Sequence, residues 1–164
     1  MTRFVVTPKE LSNDSTPTFD YMSSDVGSTY ECRIDSDLEI AFVPCARNQT
    51  LTGLDEGEHT FEVRAIDQDL NTDPTPISFE FTIDTTAPET EAKVKDGPGK
   101  SVKVVMSSNE DGVKFQCKRN GDWKGCESPK VINNPGAGSG TLQVRAKDRA
   151  KNVDPTPAKA KLKD

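Results

Sequence analysis

The sequence FEVRAIDQDLNTDPTP occupies residues 61–76, and a near copy, LQVRAKDRAKNVDPTP, occupies residues 142–157. Nine positions are identical at a constant offset of 81 residues. Each copy begins as an alternating strand, continues through a polar corner and ends in a proline-rich turn. A repeat of this kind indicates two copies of one structural unit. The sequence therefore predicts two domains, at residues 1–86 and 87–164.

The segments around each copy also alternate apolar and polar residues, which is the period of half-buried β-strands. Residues 77–84 show this most clearly, with Ile77, Phe79, Phe81 and Ile83 on one face. The first unit has predicted strands at 2–6, 17–22, 29–35, 40–43, 50–54, 58–67 and 77–84, and the second at 101–107, 112–119, 122–126, 130–132, 141–148 and 158–163. Short strands separated by turn residues, without helical periodicity, predict an all-β fold of two tandem antiparallel β-sandwiches.

Composition and charge divide the chain as the repeat does. The apolar fraction is 32% and the aromatic fraction 6%, so each small unit buries a thin core that a cross-link would strengthen. Residues 1–86 contain 5 Lys/Arg and 17 Asp/Glu, a net charge of −12, and residues 87–164 contain 16 and 10, a net charge of +6. One interpretation is an acidic and a basic domain that are both simply solvated. The other is that the two units dock onto different surfaces.

Several function classes find no support in the sequence. The basic unit has two aromatic residues, Phe115 and Trp123, and scattered lysines, which argues against nucleic acid as a partner. No apolar run approaches the length of about 20 residues that a membrane-spanning helix needs. No nucleophile motif, phosphate-binding loop or paired cleft carboxylates are evident, so we expect no enzymatic activity and no cofactor. The single histidine, His59, begins an alternating strand and is expected to be a surface or rim residue that packs on the sheet.

Four cysteines occupy matching positions in the two units. Cys32 and Cys117 are equivalent, and Cys45 and Cys126 follow them by 13 and 9 residues. Of the three possible pairings, the repeat favours the disulfides within each unit, Cys32–Cys45 and Cys117–Cys126. A zinc site is a weak competitor because the chain has one histidine, and a redox pair is weak because neither spacing is that of a CxxC motif.

The corner of the first copy offers oxygen ligands at alternate positions. Asp67, Asp69, Asn71 and Asp73 follow the spacing of a calcium-binding loop. However, the loop glycine and the terminal carboxylate are missing, and the second copy has Ala150 in place of Asp69. The alternative is that the aspartate and asparagine side chains hydrogen-bond the backbone of their own corner, as such residues do in turns. Calcium is the weaker of the two interpretations.

Two features of the basic unit are candidates for binding a partner. Trp123 lies in the short segment between its cysteines. We expect the ring to cover the disulfide and thicken the core, and the alternative is an exposed interface anchor. Lys159, Lys161 and Lys163 lie on one face of the last strand, as in an edge strand protected from pairing. They make this unit the candidate docking end for an acidic surface.

Further motifs accompany the repeated stretch: GSTYEC at 27–32, PC at 44–45, LDEGEHTF at 54–61 and DTTAP at 84–88. With that stretch, they resemble the bacterial Ig-like repeats of secreted and surface-anchored proteins, and related modules of tailed-phage virions. The resemblance covers nearly all of the first unit and the cysteine, VRA and DPTP parts of the second. It implies two tandem Ig-like sandwiches that act as a spacer, adhesive or decorating module, and it names no ligand.

The sequence thus predicts a non-enzymatic structural or decorating protein of a phage virion surface (capsid or tail), whose modules bind another protein. This is favoured by a start at Met1 without a signal-peptide segment. The alternative is a repeat pair of a secreted bacterial adhesin. Because Trp123 is the one candidate for an aromatic platform, any glycan or host-surface contact is expected to be weak. Both interpretations place the protein on a virion surface or at the extracellular face of a cell.

Overall fold

The computed structural model describes residues 1–133, 135 and 140–162, and the chain forms two compact units, Met1–Thr85 and Thr86–Asp164. We call them the first and the second unit. Lys163, one of the predicted docking lysines, lies outside the described residues. Within the described ranges, no helix has the length and apolar character needed to cross a membrane.

The first unit is a sandwich of two sheets. Its strands are β1 (Thr2–Val6), β2 (Leu11–Ser12), β3 (Thr18–Ser23), β4 (Thr29–Ile34), β5 (Val43–Cys45), β6 (Asn48–Thr50), β7 (Gly57–Ile66) and β8 (Ile77–Ile83). One sheet has the order β1-β3-β6, and the other has the order β2-β8-β7-β4-β5. Neighbouring strands are antiparallel except β2 and β8, which are parallel.

The core of the first unit is rich in aromatic residues. Every second residue of β7 faces inward, and Phe61 and Val63 are fully buried there. The ring of Phe61 stacks on that of Phe19 with centroids 4.3 Å apart. The buried cluster consists of Phe19, Tyr21, Cys32, Phe61, Val63, Phe81 and Ile83. The alternation predicted for residues 77–84 is therefore the inward face of β8.

The described residues of the second unit form a sandwich of seven strands. They are β9 (Thr90–Asp96), β10 (Ser101–Ser108), β11 (Lys114–Lys118), β12 (Lys124–Cys126), β13 (Lys130–Asn133), β14 (Thr141–Lys147) and β15 (Ala158–Lys161). One sheet has the order β13-β10-β9, and the other has the order β12-β11-β14-β15. All of its described strand pairs are antiparallel.

The second core has no aromatic residue in its buried cluster. The cluster consists of Val102, Val104, Met106, Cys117, Leu142, Val144, Ala160 and Leu162, with Phe115 packed against it while partly exposed. Smaller side chains bury less apolar area, so this unit gains less from hydrophobic burial than the first unit does. This cluster has the small side chains that the composition of the second unit leads us to expect.

Four elements differ from the strand pattern of the sequence. No strand was predicted at β2, and the strand predicted at 50–54 is instead β6, which ends at Thr50. No strand was predicted at β9, where Ala92 and Val94 are the apolar residues of the alternation and most positions are exposed. In the first unit, residues 40–43 were predicted as a strand, but a 3₁₀ turn at Glu39–Ala41 precedes β5. The side chain of Ile40 is 88% exposed, so an apolar residue that packs in no core produced the misleading signal.

Candidate functional site

The repeated stretch forms the same strand and corner in both units. After β7, Asp67 Oδ1 accepts hydrogen bonds from the N–H groups of Asp69 at 2.9 Å and Asn71 at 2.8 Å. Asp67 Oδ2 accepts a third bond, from Asn71 Nδ2 at 2.9 Å. The bonds from Asn71 hold the pKa of Asp67 below its ordinary value. After β14, Asp148 accepts the equivalent pair of bonds from the backbone and side chain of Asn152.

These hydrogen bonds occupy carboxylate oxygens of the predicted calcium ligands. Both carboxylate oxygens of Asp67 accept hydrogen bonds within the corner, and Asp73 Oδ1 accepts bonds from the N–H and hydroxyl groups of Thr75. Asp69 and Asn71 are exposed. The aspartates therefore act as turn caps in this structure, which is the alternative role. The calcium site stays a prediction, against which these internal bonds count.

An aspartate after each corner ties the repeated stretch to the first strand of its unit. In the first unit, Asp73 Oδ2 accepts a hydrogen bond from Thr2 Oγ1 at 3.1 Å. In the second, Asp154 Oδ2 accepts one from the N–H of Thr90 at 2.9 Å, and Oδ1 accepts one from the N–H of Thr156 at 2.7 Å. Asp154 is 2% exposed. Burial alone would raise its pKa, but these hydrogen bonds outweigh burial and hold the pKa below its ordinary value.

Replacing Asp154 with alanine is expected to lower the free energy of unfolding of the second unit by about 3 kcal/mol, because two backbone donors lose a charged acceptor in a buried position. Urea unfolding followed by the fluorescence of Trp123 measures this. The matched control is Asp122→Ala, at an exposed position of the same unit, with an expected change below about 0.5 kcal/mol. Equal effects of the two substitutions would contradict the assigned role.

The same carboxylate gives the second unit a pH dependence with a defined sign. The folded pKa of Asp154 lies below its value in the unfolded chain. Its contribution to stability is therefore complete above the pKa of the carboxyl in the unfolded chain, and is lost as the pH falls through the folded pKa.

Each unit contains one disulfide with the pairing that the repeat predicts. Cys32 on β4 is bonded to Cys45 on β5, and Cys117 on β11 is bonded to Cys126 on β12. The Cα atoms are 5.8 Å apart in both bonds. All four cysteines of the chain are thereby used. None of them is available as a zinc ligand.

Different side chains cover the two disulfides. In the first unit, Tyr21 Oη lies 3.0 and 3.1 Å from the two sulfur atoms and donates a hydrogen bond to the carbonyl of Ala46 at 2.5 Å. In the second unit, Met106 Sδ lies 3.8 and 3.9 Å from the two sulfur atoms. The indole of Trp123 lies outside the core cluster, so the expectation that it thickens this core is wrong.

An aromatic ring on the outer face of the first unit lies between two arginines. Arg33 Cζ is 4.5 Å and Arg64 Cζ is 4.0 Å from the ring centroid of Phe42. Arg33 Nε donates a hydrogen bond to Glu62 Oε2 at 2.6 Å, and Arg64 Nη2 donates one to Glu31 Oε2 at 2.9 Å. Each cation over the ring is therefore paired with a carboxylate on a neighbouring strand.

The second unit repeats this arrangement around Trp123, which lies 81 positions after Phe42. Arg145 Cζ is 4.2 Å and Lys118 Nζ is 5.8 Å from the indole ring centroid. Arg145 Nε donates a hydrogen bond to Gln116 Oε1 at 2.9 Å. Trp123 is half-buried. Its position on the outer face matches the alternative interpretation, an interface anchor.

The two outer faces differ in their acidic residues. Strand register pairs Glu31 with Arg64 in the first unit and Gln116 with Arg145 in the second. Arg64 is therefore neutralised by the carboxylate of Glu31, whereas Arg145 has the uncharged amide of Gln116 beside it. By the same register, Glu62 opposite Arg33 is replaced by Gln143 opposite Lys118.

The strand pattern did not single out Arg145, Lys118 and Gln116 as parts of a site. One signal was present, since the arginine of the VRA motif recurs in both copies at an outward-facing position. The other outward charges differ between the two copies, but this arginine is present in both. Its shared local partner is the aromatic ring, Phe42 in the first unit and Trp123 in the second.

The predicted docking lysines of the last strand share this face. Lys159 is paired directly with Gln143 on β14, and directly paired residues of antiparallel strands lie on one side of a sheet. Lys161 lies two residues further along β15 and points the same way. Both lysines are exposed. The structure therefore places Lys159, Lys161 and Trp123 on one face of one sheet.

His59 has a structural environment. Its Nδ1 is 2.7 Å from Asp35 Oδ2, its Nε2 is 2.8 Å from the carbonyl of Asp55, and its ring packs near Phe81 with centroids 5.4 Å apart. Burial lowers the pKa of His59, but the two hydrogen bonds and the nearby charges outweigh burial and raise it above its ordinary value. The residue packs on the sheet as expected, but it is buried, at 9% exposed, so the expected surface or rim position is wrong.

Comparison with solved structures identifies the type of sandwich. The chain matches fibronectin(III)-like modules of Clostridium thermocellum CbhA with a TM-score of 0.54 and 13% identity, over 99% of this chain and 94% of that one. A match to dimeric latent PorU from Porphyromonas gingivalis, with a TM-score of 0.35 and 12% identity over 99% of this chain and 20% of that one, supports no conclusion. No protein-family model and no curated protein matches the sequence. The predicted all-β, Ig-like sandwich fold is confirmed, and the likeness at 13% identity is one of fold alone.

Proposed function

We propose that this chain is a non-enzymatic structural element of an extracellular or virion surface, and that it binds another protein. The observation that carries the proposal is the contrast between framework and surface in the two units. Both keep the disulfide between neighbouring strands, the aspartate-capped corner and the ring beside an arginine. The charges on the outer sheet faces differ. A module with a constant framework and a changed surface suits the display of distinct binding faces.

The two disulfides support a location outside the cytoplasm. Structural disulfides form and persist in oxidising surroundings, including secreted proteins and virion surfaces. Each one also closes a loop within a unit that has a small core. The disulfides therefore stabilise each unit against unfolding, as a protein exposed on a virion or cell surface requires.

The context that we propose is a phage virion, where the protein decorates the capsid or the tail and contacts the shell. This rests on the resemblance of the repeat motifs to Ig-like virion modules. A repeat pair of a bacterial surface adhesin is the second candidate, and the matching fold of bacterial fibronectin(III)-like modules favours it. In both contexts the partners are proteins.

Purification from the native source tests the proposal. Co-sedimentation with virions at a fixed stoichiometry is the expected result, and recovery within a larger envelope polypeptide would support the adhesin instead. Mass spectrometry of the same material without reductant should show both disulfides. A chain found only in the cytosol, with four free thiols, would contradict both contexts.

A further inference from the structure

The outer face of the sheet β12-β11-β14-β15 is uniformly basic. Register places its outward strand residues on one side, with Lys114 opposite Lys147, Gln116 opposite Arg145, and Lys159 opposite Gln143. We call this surface the basic sheet face. Its cations are Lys114, Lys118, Arg145, Lys147, Lys159 and Lys161. Every strand residue of this sheet is described, and no outward one is an aspartate or a glutamate.

The fold does not require this charge. In the first unit the corresponding sheet face pairs its arginines with carboxylates, as in Arg33 with Glu62 and Arg64 with Glu31. Among the residues that the structure describes, no ion pair joins any cation of the basic sheet face to a carboxylate. Six like charges on one face repel one another, which opposes folding. An external anion would remove that repulsion.

The middle of the basic sheet face has the features of an interface anchor. Arg145 lies on β14, an inner strand of the sheet, with its guanidinium against the half-buried ring of Trp123. The hydrogen bond to Gln116 fixes the guanidinium while leaving its charge uncompensated. Tryptophan and arginine are the residues most enriched at the centres of protein interfaces. An arginine that is already oriented loses less side-chain entropy when it binds a carboxylate.

We propose that the basic sheet face binds a carboxylate-rich protein surface, with Trp123 and Arg145 at the centre of the contact. The inference rests on the proposed function and names the face and the partner's chemistry. Outward residues along a strand repeat every ~6.8 Å, and strands are ~4.8 Å apart, so the cations match acidic side chains at alternate positions of an exposed strand. Nucleic acid fits less well, because single strands are bound by successive aromatic platforms and this face has one ring.

Titration of the full chain with a poly-L-glutamate peptide tests the proposal. Trp123 is the single tryptophan of the chain, so its fluorescence reports contact at the face itself. We expect saturable binding that weakens as the salt concentration rises from about 0.05 M to about 0.5 M. The variant Lys114→Glu/Lys159→Glu/Lys161→Glu changes three exposed residues of this face and should weaken binding about tenfold or more. Arg145→Gln should weaken it about fivefold.

The matched control is Lys93→Glu/Lys95→Glu/Lys103→Glu. These three lysines lie on the outer face of the other sheet of the second unit, so the change in net charge is identical. Binding at the wild-type level by this control, with loss in the first variant, supports the proposal. Equal weakening of both would mean that net charge alone attracts the peptide, and would overturn it. Tighter binding of a single-stranded oligothymidylate or of hyaluronate at matched charge would overturn the protein partner.

Attachment in the native context separates this inference from the proposed function. If the wild-type chain joins virions or envelope material and the variant Lys114→Glu/Lys159→Glu/Lys161→Glu joins equally well, the proposed function stands and the basic sheet face is not the docking site. If the peptide binds at the basic sheet face but the chain is found neither with virions nor with envelope material, the inference about the face stands and the proposed function fails.

Discussion

A Cys117→Ser/Cys126→Ser variant is expected to lose about 3 kcal/mol from the free energy of unfolding of the second unit. The two cysteines are separated by 9 residues, and a cross-link over a loop of that length restricts the unfolded chain by about this amount. A domain of this size has a total stability of roughly 4–12 kcal/mol. The bond is therefore a large fraction of what keeps this unit folded.

The packing around the bond makes the second unit the more sensitive of the two. Its buried cluster has aliphatic residues and Met106 in place of the phenylalanines of the first unit. The counterpart variant, Cys32→Ser/Cys45→Ser, loses a similar entropic contribution, since its cysteines are separated by 13 residues. However, the core of the first unit buries more apolar area, so the same loss is a smaller fraction of its stability.

Urea unfolding followed by Trp123 fluorescence measures the effect in the second unit. The unfolding midpoint should fall by about 2–3 M, because a domain of this size has an m-value of about 1 kcal/mol/M. The tyrosines of the chain, Tyr21 and Tyr30, are both in the first unit, and their near-ultraviolet circular dichroism should keep its wild-type transition. An unchanged Trp123 midpoint would show that the disulfide does not stabilise the fold.

The sequence predicted the framework because its signals are local or repeated. Alternation along residues 77–84 and the two copies of the VRA and DPTP motifs gave the strands and corners of both units. Cysteines at equivalent positions gave the disulfide pairing. The missed strand β9 lies at a sheet edge and is mostly exposed and charged, so its apolar alternation consists of Ala92 and Val94 alone and is a weak signal.

The grouping of Arg145, Lys118 and Gln116 around Trp123 could not be predicted because it depends on register between distant strands. The offset between the two copies is 81 residues at the ring position, Phe42 and Trp123, but 85 at Glu31 and Gln116, since the segment between the cysteines is shorter in the second unit. A single offset therefore misaligns the residues that surround the ring. The strand register shows that Arg145 lies opposite Gln116, where its counterpart Arg64 lies opposite Glu31.

A Phe61→Ala variant is expected to lose about 4 kcal/mol from the free energy of unfolding of the first unit. Phe61 is fully buried on β7, and its ring stacks on Phe19 with a centroid distance of 4.3 Å. Removing a phenylalanine side chain from such a site loses its transfer free energy and leaves a cavity that β-sheets on both sides cannot close. Aromatic pairing adds to the loss. The near-ultraviolet circular dichroism of Tyr21 and Tyr30 during urea unfolding measures it.

The second unit provides the matched control for this substitution, because the equivalent residue is Leu142, which is 2% exposed. Phe61→Leu introduces the residue found at the equivalent position of the second unit, and it should lower the free energy of unfolding of the first unit by about 1–2 kcal/mol. The unfolding midpoint from Trp123 fluorescence should be the same in both variants as in the wild-type chain, since each unit has its own core. A loss from Phe61→Leu as large as that from Phe61→Ala would mean that the aromatic stack, rather than buried volume, holds the first sandwich together.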